Sequence, residues 1–207
     1  MIVDPAGKFA AFILAGGRST RMGQDKAMLE IDGMTMIDRA IDLVRRAGVE
    51  PVVVGSFGEN PRTLSARVIP DDWPGAGPLG GIATALRETR APWNLVMACD
   101  MPYLTAEWLG FLMGHASASK ADAVVPRNKN GAEPMCAMYH QRAEMAIRGA
   151  LENGIRRVTE GLAQLRVEYV EREEWKGFDS EGLLFKNMNE PADHEEAKAR
   201  FGGRAKK

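Results

Sequence analysis

Leu14-Ala15-Gly16-Gly17-Arg18-Ser19-Thr20-Arg21-Met22-Gly23-Gln24-Asp25-Lys26 is the stretch whose reading decides how the rest of this chain is understood. It follows the apolar run Phe9 to Leu14, short enough for a buried strand, and gathers glycines, two arginines and a lysine into thirteen residues. Glycines lack Cβ, so the backbone can turn sharply and bring its N–H groups close to an anion. Arg18, Arg21 and Lys26 add mobile positive charge to the same loop, which gives it the chemistry of a phosphate cradle. It is not a P-loop: five residues separate Gly17 from Gly23, and Lys26 falls two residues late. Nor does Gly16-Gly17 form a dinucleotide fingerprint, because no third glycine occurs at Thr20 or Arg21. A glycine-rich strand-to-helix turn with solvated charges is the other reading, and spacing alone leaves both open.

Working outward, 207 residues with 45% hydrophobic and 27% charged side chains fit one globular domain spanning 1–207 with a sizeable core. Lys plus Arg (27) nearly balance Asp plus Glu (28), which argues against a surface built for nucleic acid or for acidic membranes. Any cationic site is therefore local. No apolar stretch reaches the length of a membrane span, and Met1 to Lys8 lacks the pattern of a signal peptide, so the cytoplasm is the expected compartment. Cys99 and Cys136 lie inside apolar runs and read as buried structural thiols. His115, His140 and His194 are scattered, and no zinc site is expected.

After the loop, apolar spacing predicts a helix from about Met36 to Ala47, stopped by Gly48, and then a buried strand at Pro51 to Gly55. Strand, helix, strand of this length is a βαβ unit with parallel strands. Ser56 to Ala66 reads as loop and short helix, and Arg67 to Pro70 as a third strand. A second glycine-rich loop, Trp73 to Gly81, opens a helix carrying Ile82, Ala85 and Leu86 inward. Trp93 to Cys99 is the next strand and ends on Asp100-Met101-Pro102. A carboxylate at the tip of a buried strand is costly unless paired or coordinated, and Asp100 could hold Mg²⁺. Alternatively it caps the following helix, although Thr105 is better placed as N-cap. Ala121 to Pro126, the turn at Asn128 to Gly131 and Glu133 to Tyr139 predict a hairpin that adds an antiparallel element.

Helical segments at Arg142 to Leu151 and Ile155 to Leu165 break at Asn153-Gly154. Arg156-Arg157 follows the break, where the pair could reach an anionic ligand or remain solvated. A strand at Val167 to Val170 precedes a charged, mobile segment from Glu171 to Glu181. Asn187 and Asn189 would present paired amides if that stretch is extended, or form a turn before a helix starting at Pro191. The chain beyond Gly202 is expected to fray.

These residues resemble the molybdenum cofactor guanylyltransferases over nearly the whole chain. The motif Leu14-Ala15-Gly16-Gly17-x-Ser19-x-Arg21-Met22-Gly23-x-Asp25-Lys26 carries the resemblance, with Asp71, Gly77-Pro78-Leu79, Cys99-Asp100-Met101-Pro102, Arg156-Arg157-Val158 and Asn187-x-Asn189-x-Pro191. The cytidylyl branch typically has Ala-Ala-Gly in place of Ala15-Gly16-Gly17, and sugar-phosphate nucleotidyltransferases usually carry Pro in place of Asp25; both differences favour guanylyl transfer.

The resemblance implies a Rossmann-like α/β fold, a three-layer α/β/α arrangement around a mostly parallel, mixed sheet of the nucleotide-diphospho-sugar transferase type. It implies GMP transfer from GTP to the phosphate of molybdopterin or Mo-molybdopterin. Leu14, Ala15, Gly16, Gly17, Lys26, Asp71 and Asp100 would contact GTP, with Mg²⁺ on Asp100 and catalytic roles for Lys26, Arg21 and Asp100. Arg156, Asn187 and Asn189 would lie on the acceptor side. Molybdoenzymes, their chaperones and other cofactor-biosynthesis proteins are the implied partners. A cytidylyl or sugar-phosphate transferase, or a non-catalytic nucleotide-binding or delivery protein, are the alternatives. One family position, an asparagine after the second strand, is Gly55 here, which weakens that nucleotide contact.

Overall fold

The computed structural model describes residues 7–16, 26–55 and 64–202. Most of the glycine-rich loop (17–25), much of the expected 56–66 loop and the tail beyond 202 lie outside the described residues.

The first strand, β1 (Phe9–Leu14), leads through a 3₁₀ turn (Lys26–Met28) into a small hairpin, β2 (Glu30–Ile31) and β3 (Met34–Thr35). Thr35 caps α1 (Met36–Arg46), its hydroxyl accepting the Asp38 N–H at 3.2 Å. Gly48, with φ of 91°, ends that helix. The chain continues through β4 (Pro51–Val54), β5 (Arg67–Ile69), α2 (Pro78–Glu88), β6 (Trp93–Ala98) and α3 (Ala106–Ala118), the last capped by Thr105 as expected. Then come β7 (Ala123–Asn128), β8 (Gly131–Ala132), β9 (Cys136–His140), α4 (Glu144–Glu152), α5 (Val158–Leu162), β10 (Val167–Val170), α6 (Arg172–Trp175) and α7 (Pro191–Gly202). No described helix is long and apolar enough to cross a membrane.

The main sheet runs β10-β7-β9-β6-β1-β4-β5, with β8 paired to β7. β1 pairs in parallel with both β4 and β6, and β9 is the antiparallel strand between β6 and β7. The expected hairpin and mixed sheet are both present.

Side-chain alternation sorts the core into two layers. Ala11, Ile13, Val53, Leu95 and Met97 pack with α1, α3 and Trp175, whereas Phe12, Leu14, Val54 and Val96 pack with α2, α4 and α5. Strands buried on both faces read as continuous apolar runs, which explains the sequence of β1 and β6. The chain builds β1, β4 and β5 outward in one direction, then returns through α2 to place β6 on the other side of β1. Strand order reverses at β1, and open parallel sheets bind their ligands beyond the strand ends at such a point.

Glu171 to Glu181 corrects one expectation. The segment is not a mobile charged run but α6 followed by a 3₁₀ turn (Lys176–Phe178), anchored by Trp175, only 2% exposed. Trp175 and Trp108 lie 6.2 Å apart, and Phe178 and Phe185 pack on Trp108 at 5.8 and 5.5 Å. This aromatic cluster fixes the approach to Asn187.

Gly55 follows β4 with φ of 155°, and a Cβ there would lie 1.7 Å from the Ala15 carbonyl oxygen. The glycine lets the ends of β4 and β1 pass in contact, so this backbone has no room for a side chain such as asparagine. Gly55→Asn is expected to cost about 3 kcal/mol or more, as severe overpacking does. The measurement is urea denaturation; an unchanged midpoint would show that the two strand ends can separate.

Candidate active site

Parallel strands deliver their carboxyl ends to one edge of the sheet, and the backbone ladder continues a residue past each strand. The Ala15 N–H donates to Val54 O (2.9 Å), Gly55 N–H to Ile69 O (3.0 Å) and Cys99 N–H to Leu14 O (3.3 Å). Ala15 thus spends its amide on the sheet. α2 enters the same edge with Gly77 as N-cap (φ 71°), Pro78 at its first position and no side-chain cap. A Cβ on Gly81 would lie 2.9 Å from Leu14 Cδ1, so glycine there lets α2 press against the end of β1.

Lys26 and Asp100, 74 positions apart, meet at this edge: Lys26 Nζ lies 3.5 Å from Asp100 Oδ2. The same ammonium donates to Asn189 Oδ1 at 2.9 Å. Lys26 and Asp100 side chains are 22% and 20% exposed, neither sealed nor fully solvated. Burial pushes the Asp100 carboxyl above the ordinary aspartate range, and Lys26 offsets this only in part. The Met188 N–H donates to the Asp100 carbonyl at 2.9 Å, tying the Asn187 to Asn189 stretch directly to the end of β6. That stretch is neither strand nor helix, so the two amides do not form a matched pair. Asn189 faces Lys26, whereas Asn187 Oδ1 is buried without a hydrogen-bond partner.

Asp71 sits in the turn after β5. Its Oδ1 accepts the Trp73 N–H (3.0 Å) and lies 2.9 Å from Thr84 Oγ1. Thr84 is buried in α2 and also accepts the Asp72 N–H at 3.0 Å, so this hydroxyl braces the turn from behind. The Arg156 guanidinium donates to Leu151 O and Ile155 O (2.7 and 2.9 Å), which ties it to the end of α4. Its carbonyl oxygen borders the α2 entrance, 4.0 Å from where a Cβ on Gly77 would be. Arg157 pairs with Glu160 at the exposed surface. Gly17 and Arg21 lie outside the described residues.

A cavity of about 520 Å³ opens beside this edge between α1, α3 and the end of α7, with Cys99 and Met101 in its wall. Cys99 and Cys136 are both buried, and burial pushes the Cys136 thiol up to about 12, leaving it inert. Among the described residues no cluster of three or more His, Cys, Asp or Glu could hold a metal ion. One carboxylate completed by water and phosphate oxygens is a different arrangement, and Asp100, a hard oxygen donor already facing a cation, fits it.

Residues 11–168 match the MobA-like NTP transferase domain. The chain belongs to that family. It is 36% identical over 181 residues to a probable molybdenum cofactor guanylyltransferase of Pelotomaculum thermopropionicum, covering 87% of each chain. A protein of the same description from Opitutus terrae is 34% identical, over 92% of this chain and 95% of that one. The solved structure of molybdopterin-guanine dinucleotide biosynthesis protein A from Archaeoglobus fulgidus superposes with a TM-score of 0.82 at 27% identity, covering 94% of this chain and 99% of that chain. The chain is thus a nucleotidyltransferase of the nucleotide-diphospho-sugar transferase type in fold.

Thr84 is the residue that reading the sequence missed. It lies 13 positions from Asp71, and no motif distinguishes it from any other helical threonine. Thr84→Val keeps the shape but removes donor and acceptor, and is expected to lower stability by about 1–3 kcal/mol in chemical denaturation. Thr84→Ser should recover most of that loss. Equal stability of wild type and the valine variant would remove the brace.

Proposed function

We propose that this chain transfers GMP from GTP to the terminal phosphate of molybdopterin, forming a molybdopterin guanine dinucleotide and releasing pyrophosphate. The observation that carries the reading is the meeting of Lys26, Asp100 and Asn189 at the strand-order reversal of a MobA-like chain. An oxygen of the acceptor phosphate attacks the α-phosphorus of GTP, a new P–O bond forms, and the bond to the β-phosphate oxygen breaks. The second pKa of a phosphomonoester is near 6, so the acceptor is largely dianionic at neutral pH and needs little help from a base. What the reaction needs is in-line placement and neutralisation of charge, because two anions approach and a third departs.

In this reading the backbone at Leu14, Ala15, Gly16 and Gly17 lines the nucleotide path, and Lys26 with Arg21 offsets the charge growing on the leaving pyrophosphate. Asp71 accepts from the N1–H and amino group of guanine, through a carboxylate whose orientation Thr84 supports. Asn189, exposed and already on Lys26, faces the acceptor, and Asn187 lies on the same side of the site behind it. Arg156 lies at the acceptor entrance. A divalent cation, Mg²⁺ in our reading, would be held by Asp100 and would supply charge neutralisation at the α-phosphate when bound.

Pyrophosphate release, measured with each nucleotide in the presence and absence of molybdopterin, tests the assignment. GTP with molybdopterin is expected to be the productive pair. Preference for CTP or a sugar phosphate would move the chain to another branch, and GTP binding without release would make it a carrier. Asp100→Ala and Lys26→Ala should each lower turnover about a hundredfold or more while the protein stays folded. Near-normal turnover in either variant would take that residue out of the mechanism.

A further inference from the structure

Residues 186–190 contain no helix or strand, yet they deliver Asn189 to Lys26 and the Met188 N–H to Asp100. An irregular segment holds such a position only if its backbone groups find fixed partners elsewhere. Lys186 N–H donates to the Leu183 carbonyl and Met188 N–H to the Asp100 carbonyl, and the next two N–H groups share one carboxylate. Asp193 Oδ2 accepts the N–H groups of Asn189 (3.0 Å) and Glu190 (2.9 Å). Asp193 Oδ1 lies 3.4 Å from Lys186 Nζ, an ammonium that also reaches Glu196 at 2.6 Å. Asp193 is the third residue of α7, and its own N–H donates to the Glu190 backbone carbonyl at 3.0 Å, so the two residues are joined in both directions.

The helix carrying this carboxylate is fastened to the element that carries Lys26. His194 Nε2 lies 2.8 Å from the Glu30 carbonyl, and Ala197 is buried with Leu29, Ile31, Met36 and Met188. The Leu29 N–H in turn donates to the Lys26 carbonyl at 3.2 Å. α7 and the Lys26 turn are thus packed as one unit, and Asp193 joins that unit to the irregular stretch.

We propose that Asp193 is a positioning residue for this site, holding Asn189 on Lys26 and the Met188 N–H on the Asp100 carbonyl by accepting the amides of Asn189 and Glu190. Its predicted influence on turnover rests on the function proposed above; its structural role does not. The two backbone N–H groups and Lys186 also keep its carboxyl below the ordinary aspartate range, against the opposing effect of burial, as expected of an acceptor in continuous use.

The test compares Asp193→Ala, Asp193→Asn and Ala199→Gly in the full chain. The last removes helix propensity from an exposed position of α7 without touching the clasp. Two quantities are read: steady-state pyrophosphate release from GTP with molybdopterin, and amide hydrogen exchange at Met188, Asn189 and Glu190 by NMR. Asp193→Ala is expected to lower kcat about tenfold, with KM for GTP within about twofold, and to speed exchange at those amides about tenfold. Asp193→Asn keeps one oxygen able to accept both N–H groups and should retain kcat within about twofold, as should Ala199→Gly. Should Asp193→Ala not fold, Asp193→Ser, too short to reach both amides, replaces it under the same criteria.

Unchanged exchange in Asp193→Ala overturns the proposal. So does an asparagine variant as impaired as the alanine one, or an equal loss of kcat in Ala199→Gly. Exchange requires no turnover, so a wild-type protein that releases no pyrophosphate would refute the proposed reaction while leaving the clasp to be judged on its own.

Discussion

β1 has a parallel partner on each edge and a helical layer on each face. Its backbone groups are consumed by the two ladders, and its side chains are sealed by the two layers, so it can carry no polar function along its length. Chemistry is displaced to the first residues beyond Leu14. Because β4, β5 and β6 run in the same direction, the residues just past their carboxyl ends reach that edge too: Gly55, Asp71 and Asp100. The parallel arrangement therefore gathers groups that are far apart in the chain, and the reversal of strand order at β1 keeps the neighbouring loops from closing over them.

Much of this was legible in the sequence because it obeys local rules. The runs at Phe9 to Leu14 and Trp93 to Cys99 are apolar because both faces of those strands are covered, and the α1 pattern places Ile37, Ala40, Ile41 and Val44 on one face. Thr105 caps α3 where helix chemistry requires an acceptor. Glu171 to Glu181 was misleading for an equally physical reason. Its charges occupy the solvent side of a short helix, and two aromatic residues, Trp175 and Phe178, supply the packing that holds it. Charge counting weighs eleven residues alike, whereas packing depends on two.

Lys26, Asp100 and Asn189 were legible as residues for one site, but their contacts were not. Lys26 and Asn189 are separated by 163 positions, and nothing local predicts which of the two asparagines reaches the ammonium. Alternation assumed an extended segment, but the Met188 N–H turns toward the Asp100 carbonyl and breaks the alternation, leaving Asn187 half-buried with its Oδ1 enclosed and Asn189 outward. Thr84 and Asp193 act through Asp71 and Asn189, and residues that support others leave no compositional trace. The Gly55 departure is likewise a packing matter: the Ala15 carbonyl occupies the space that a side chain would need.

Lys26 is shared between a carboxylate at the end of β6 and an amide on the α7 side, so its ammonium is already placed between the two sides of the site. Pre-placement removes much of the conformational entropy that a free lysine would lose on engaging a triphosphate. The pair with Asp100 is nevertheless incomplete. Burial raises the Asp100 carboxyl more than Lys26 lowers it, so among the described residues its cationic partner does not fully offset the effect of burial. The Asn189 amide cannot make up the difference, because it engages the lysine rather than the carboxylate. Further positive charge drawn to Asp100 would satisfy the carboxylate and loosen its hold on Lys26. The lysine would then be free to turn toward phosphate oxygens while Asn189 keeps it at the site.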